Sequence, residues 1–94
     1  MPTAMVLHLE TKDYDAWKQV FDSDPAGRRQ AATGHVLSRG VDNSNSVFVR
    51  ANFDSVEEAQ AFRQRLHASG ALDNPDVTIV VPPTVIQVAE EITY

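Results

Sequence analysis

Three histidines, His8, His35 and His67, are the side chains best suited to move a proton or hold a metal near neutral pH. No two of them stand at ligand spacing on one element, and none has a carboxylate four residues away in a helical segment, so no metal site is expected. The chain has no cysteine, and neither Ser38 nor Ser69 lies in a nucleophile-elbow sequence, which removes the usual covalent nucleophiles. No glycine-rich dinucleotide fingerprint is present, and no cofactor is expected. His67 falls near the end of a helical segment, where the dipole favours an imidazolium. The same position also suits a general acid or base at the mouth of a cleft.

Two further groups of residues invite chemistry. Trp17 and Phe21 recur at helical spacing and serve either as core or as a surface on which a flat ligand stacks. Strict alternation puts His8 and Glu10 of one strand, and Arg50 and Asn52 of another, on a single sheet face. Four polar side chains buried there must pair with one another or with a second subunit, so they read as an interface network or as a catalytic cluster. Arg39 is expected on that same face, where it joins the network or meets a ligand's carboxylate or phenolate.

The elements that position these residues follow from punctuation and periodicity. Ala4 to Glu10 alternates, with Met5, Leu7 and Leu9 on one side and Val6, His8 and Glu10 on the other, and so reads as a strand. Asp13 caps a helix with apolar positions at Tyr14, Trp17 and Phe21; Ser23-Asp24-Pro25 interrupts it, and a second helical piece runs through Gln30. His35 to Val41 and Ser46 to Phe53 form a hairpin around Asp42-Asn43-Ser44-Asn45, a turn rich in residues that tolerate positive φ. Ser55 to Glu58 matches a capping box, after which Val56, Ala59, Phe62 and Leu66 make the buried stripe of another helix and Gly70 takes its left-handed cap. Val77 to Val81 is a β-branched, mostly buried strand. Pro82-Pro83 is expected to end regular pairing, leaving Val85 to Ile92 as an extended segment without a partner in the subunit.

The order strand-helix-strand-strand-helix-strand over 94 residues predicts one domain, residues 1–94, with an α+β ferredoxin-like βαββαβ sandwich: a four-stranded antiparallel sheet with both helices on one face. The other sheet face, carrying Val6, Leu37, Phe48 and Val80 in this reading, is then bare. A homodimer that packs these faces together covers it, with a C-terminal arm, residues 84–94, crossing to the partner's sheet. With 13 acidic against 8 basic side chains the net charge is −5, which disfavours nucleic acid and anionic membrane surfaces as partners. There is no secretion-signal pattern and no apolar run of spanning length, and the expected location is the cytoplasm. An RNA-recognition motif shares the segment order, but strand one offers His8 where a stacking aromatic is needed; an amino-acid-binding regulatory domain of this topology is usually fused to an enzyme.

The opening strand followed by Asp13-Tyr14-Asp15-Ala16-Trp17-Lys18-Gln19-Val20-Phe21, the Arg39-Gly40-Val41-Asp42 approach to the hairpin, Phe53-Asp54-Ser55-Val56-Glu57-Glu58-Ala59 and the Gly70 loop resemble the dimeric α/β-barrel superfamily. That superfamily includes antibiotic-biosynthesis monooxygenase-like proteins, polyketide cyclases, muconolactone isomerases and haem-degrading enzymes. The resemblance implies a homodimer and a cleft between helices and sheet. Trp17, Phe21, Phe62, Leu66 and His67 would line that cleft from the helices, and Leu7, Leu9, Ser38 and Val49 from the sheet. It implies cofactor-independent oxidation or cyclisation of a small apolar or polycyclic molecule. Trp17, Phe21, Ser38, Phe62 and Leu66 then bind, while His67 or Arg39 moves a proton or steadies charge. The competing expectation is a non-catalytic homodimer that sequesters a ligand or binds a protein. The chain departs from the haem-degrading pattern, because Asp54-Ser55-Val56-Glu57 after the third strand contains no tryptophan.

Overall fold

A computed structural model describes residues 2–94. The elements are β1 (Thr3–Thr11), α1 (Tyr14–Ser23), α2 (Arg28–Ala31), β2 (Gly34–Arg39), β3 (Ser46–Phe53), α3 (Val56–Ala68) and β4 (Val77–Gln87). They form one antiparallel sheet in the order β2-β3-β1-β4, the ferredoxin-like α+β arrangement the segment order predicts, with α2 as a short addition. Alternation along the central strands decides which face is covered. Met5, Leu7 and Leu9 of β1 and Val47, Val49, Ala51 and Phe53 of β3 are all buried on the helix side. Two clusters result: one around Met5, Ala51, Phe53, Ala59 and Phe62 beneath α3, the other around Leu7, Leu9, Val47 and Val49 beneath α1.

The helices begin where the capping residues place them. Asp13 accepts a hydrogen bond from the Ala16 amide at 3.2 Å, and Ser55 Oγ accepts one from the Glu58 amide at 3.1 Å. Gly70, at φ 75°, sits just past the end of α3 and donates its N–H to the His67 carbonyl at 3.3 Å, the left-handed stop expected of it. The two helices differ in anchorage. α3 buries Ala59 and Phe62, whereas α1 buries none of its residues and touches the core only through half-buried Tyr14, Trp17 and Phe21. Asp24 is the joint between α1 and α2. It adopts φ 60° to cap the first, and its carboxylate accepts the Arg28 and Arg29 amides at 2.7 and 3.1 Å to open the second.

Three sequence expectations need correction. First, Pro82-Pro83 does not end pairing. Val81 opposes His8, Thr84 opposes Val6, and Val85 to Gln87 pair with Met5 to Thr3 of the same chain. Two register shifts, between Leu9 and His8 and between His8 and Val6, place an extra β4 residue each time. The prolines sit in such a bulge, where their missing N–H groups break no ladder. Of the expected C-terminal arm, only residues 88–94 lie outside the strand. Second, β2 stops at Arg39, because Gly40 turns back to donate its amide to the Ser46 carbonyl at 2.8 Å, so Val41 is fully exposed in the connection. A Cβ on Gly40 would stand 2.6 Å from the Asn43 carbonyl oxygen, so the turn requires glycine there. Third, that turn sets the register Leu37↔Val49, Ser38↔Phe48 and Arg39↔Val47. Leu37 and Arg39 therefore belong to the helix side and Ser38 to the open face, the reverse of the expected assignment. Val6 and Phe48 lie on the open face as expected.

Candidate functional site

Between the helices and the sheet lies an apolar cleft of about 70 Å³. Leu7, Leu9 and Val49 form its floor, Trp17 and Phe21 its α1 wall, and Phe62 and Leu66 its α3 wall. The α1 wall is a ladder of rings. Tyr14 and Trp17 have centroids 5.9 Å apart, Trp17 and Phe21 stack at 5.0 Å, and His35 of β2 meets Phe21 edge-on at 5.3 Å. A guanidinium closes each end: Arg39 lies 3.7 Å from the Tyr14 ring centroid and Arg28 3.7 Å from that of Phe21. Helical spacing explains the row, since residues three and four apart share one face.

Arg28 carries no mark of a site in the sequence, where it simply adjoins Arg29. It is 7 % exposed and lines the cleft. Its Nη1 donates to the Phe21 carbonyl at 3.3 Å and stands 3.8 Å from Asp24, while Nε is buried without a hydrogen-bond partner among the described residues. Burial lowers the Arg28 pKa, opposed by Asp24, yet a guanidinium remains charged at any physiological pH.

Trp17, Phe21, Phe62 and Leu66 come together in the cleft, and so do the expected floor residues Leu7, Leu9 and Val49. Ser38 does not, because its register carries it to the other face of the sheet. Arg39 is on the helix side but at the outer end of the ladder, held by Tyr14 and by donation from its Nε to the Ser44 carbonyl at 2.7 Å. His67 is exposed near the end of α3, one residue beyond Leu66 and turned away from the stripe formed by Ala59, Phe62 and Leu66; it is not among the lining residues. Among the described residues, no three of the histidine, aspartate and glutamate side chains gather closely enough to hold a metal ion.

His35 is the imidazole nearest the ladder. Withdrawal from water against Phe21 lowers its pKa, and the cations Arg28, Lys18 and Arg29 add to this, with Asp22 opposing. The folded chain thus binds this proton less readily than the unfolded chain does. Its contribution to stability is whole above the ordinary value of 6.5 and is lost as pH falls through the lower folded value. Acidification from about pH 7.5 to about 5.5 should therefore lower the urea midpoint slightly, and His35→Gln should remove that share of the slope. Identical slopes in the two proteins would show that the ring's surroundings do not couple to folding. The effect is small because His35 as a whole residue is exposed.

The opposite sheet face carries His8, Glu10, Arg50 and Asn52 as expected, with His8, Arg50 and Asn52 paired locally. His8 stacks on Phe48 at 4.0 Å with an interplanar angle of 10° and shares a 2.7 Å hydrogen bond with Ser46, while Arg50 donates from Nε to Asn52 at 3.2 Å. Around them Val36, Phe48 and Val81 are about half exposed, bordering a shallow concavity of about 420 Å³.

No protein-family model matches the chain, and no curated protein matches it. Solved structures do share its fold. An antibiotic-biosynthesis-monooxygenase-like protein of Chloroflexus aurantiacus superposes with a TM-score of 0.68 at 10 % identity, covering 99 % of this chain and 98 % of that one. SnoaB, a cofactor-independent oxygenase of Streptomyces nogalater, gives 0.65 at 18 % identity with the same coverage. A dimeric ferredoxin-like protein from an uncultured marine organism gives 0.56 at 13 %, covering 99 % and 93 %. The chain thus has the fold of the antibiotic-biosynthesis monooxygenase-like proteins over nearly its whole length. Among the described residues no helix is long and apolar enough to cross a membrane.

Proposed function

We propose that this protein is a homodimeric, cofactor-independent oxygenase- or cyclase-like protein of the cytoplasm that takes a small, largely apolar aromatic molecule into the helix-sheet cleft. The observation that carries this reading is the ring ladder of Tyr14, Trp17 and Phe21 facing an apolar floor, with a cation at each end. Similarity of fold to a cofactor-independent oxygenase supports it. Without a redox group, the electrons that reduce oxygen come from the substrate itself. Loss of an acidic proton gives a carbanion or phenolate, and conversion of a CH₂ to a carbonyl consumes one O₂ and releases one water.

In this scheme the protein excludes water, holds the flat ring and steadies the negative charge. Trp17, Phe21, Phe62 and Leu66 take the first two tasks. Arg39 steadies charge at the rim, while His67, expected as the alternative proton carrier, points away from the cleft, so the proton leaves to solvent. The open sheet face packs against its counterpart in a second subunit, and the arm beyond Gln87 crosses to it.

Titration with aromatic polyketides and quinols, read by fluorescence of Trp17, tests the reading, because this is the only tryptophan. Saturable quenching at micromolar ligand is expected, and calorimetry should show roughly tenfold weaker binding to Trp17→Ala. No response from an intact dimer across the panel would remove the cleft as a binding site. A second reading, a non-catalytic ligand-binding or interaction homodimer, is favoured by one observation. The cleft holds about 70 Å³, whereas sites for drug-sized ligands run to roughly 300–1,000 Å³. Oxygen uptake or product formation by the loaded protein separates the two.

A further inference from the structure

We infer that the cleft selects an aromatic anion, whose carboxylate or phenolate oxygen is bound by the Arg28 guanidinium. The inference rests on the reading that the cleft takes a small molecule, and adds which chemical class it takes. Arg28 is placed for this by a single joint. Asp24 ends α1 and opens α2, turning the chain so that the first residue of α2 points its stem and head group over Phe21. There the side chain is 7 % exposed, among the apolar lining of the cleft.

The hydrogen-bond count around it does not close. A guanidinium has five N–H donors, and among the described residues only the Phe21 carbonyl accepts from this one, at a long 3.3 Å. Asp24 is nearby but already committed: one oxygen accepts the Arg28 amide and the other the Arg29 amide, and the approach to Arg28 Nη1 is 3.8 Å, beyond hydrogen-bond reach. Nε is buried with no partner among the described residues. A buried cation whose Nε has no acceptor among the described residues is costly, and the Phe21 ring and the 3.8 Å approach of Asp24 offset only part of that cost. The guanidinium carbon lies 3.7 Å from the Phe21 ring centroid, and the group carries its N–H donors as a planar fork. That planar fork matches a carboxylate or phenolate better than any neutral group.

The test compares two probes of similar shape, 2-naphthoate and 2-naphthylmethanol, by calorimetry on the whole chain and on Arg28→Met and Arg28→Lys. The unmodified protein is expected to prefer naphthoate at least tenfold. Arg28→Met should abolish the preference while keeping its affinity for the alcohol, and Arg28→Lys should keep part of it, having the charge without the fork. The preference should also survive high salt, as a desolvated pair does and surface lysines do not. Equal affinity of the unmodified protein for both probes overturns the inference and leaves the cleft reading standing, as does a preference that persists in folded Arg28→Met or vanishes in salt. Binding of neither probe overturns both. If Arg28→Met fails to fold, the Arg28→Lys ratio and the salt series decide: a ratio unchanged from the unmodified protein overturns the inference.

Discussion

Phe48→Lys is expected to leave a folded monomer, with light scattering reading half the mass of the dimer proposed for the unmodified protein. Phe48 occupies the middle of the open sheet face, 45 % exposed in the single subunit and stacked on His8, with Val36 at 54 % and Val81 at 43 % around it. A small domain that shows water such a sheet face has left an interface unfilled, and an aromatic at the centre of a patch is where binding energy concentrates. Lysine removes the ring and places an ammonium two residues from Arg50 on the same strand face, so that two subunits would bring four cations together. Loss of a central aromatic anchor typically costs 2–4 kcal/mol, and the added repulsion brings the expected weakening to roughly a thousandfold or more. The substitution lies on the solvent side of the strand, away from Val47 and Val49, so the fold should persist, as circular dichroism would show. An unchanged mass at micromolar concentration would refute dimerisation through this face.

Phe62→Ala should have the largest effect on stability, about 3–5 kcal/mol, read as the fall in urea midpoint at fixed protein concentration. Phe62 is 3 % exposed and meets Phe53 with ring centroids 5.5 Å apart, in a cluster with Met5, Ala51 and Ala59. Three of the six buried members of that cluster are alanines, so Met5 is the one flexible buried side chain at hand, and it fills only part of the space the ring leaves. Total stability of a domain this size is about 5–15 kcal/mol, so the variant would retain only a fraction of it. Val56→Ala, at a half-buried position in the first turn of the same helix, should cost far less. Equal losses at the two positions would mean that the ring anchors α3 no more than its half-buried first turn does.

What the sequence made legible was chiefly what depends on neighbours in the chain. Asp13 and Ser55 announce helix starts because a cap is a local hydrogen bond, and Ser46 to Phe53 is bounded correctly because alternation and turn residues agree. What escaped was set by pairs distant in sequence. The faces of Ser38 and Arg39 depend on how many residues the hairpin connection uses, and one residue of register exchanges the two sides of the sheet. Arg28 looks like an ordinary surface residue until Asp24 bends the chain over the cleft, and an arginine beside a proline-containing joint carries no local mark of burial. His67 was singled out for its ionisation range, yet the helical angle that points Phe62 and Leu66 inward carries it outward.

The proline pair in β4 bears on how the protein behaves when crowded. β4 is an edge strand, and an edge with regularly spaced donors invites other chains to add to it, the first step toward fibrils. Two successive residues without an N–H remove one donor on each side of the strand, and the bulges twist the remainder out of line. The longest strand of the molecule, with six valine or isoleucine residues among its eleven, is thereby divided into two short stretches that do not template a neighbour together. The same two rings that leave the inner pairing with β1 intact thus deny the outer edge a continuous row of donors.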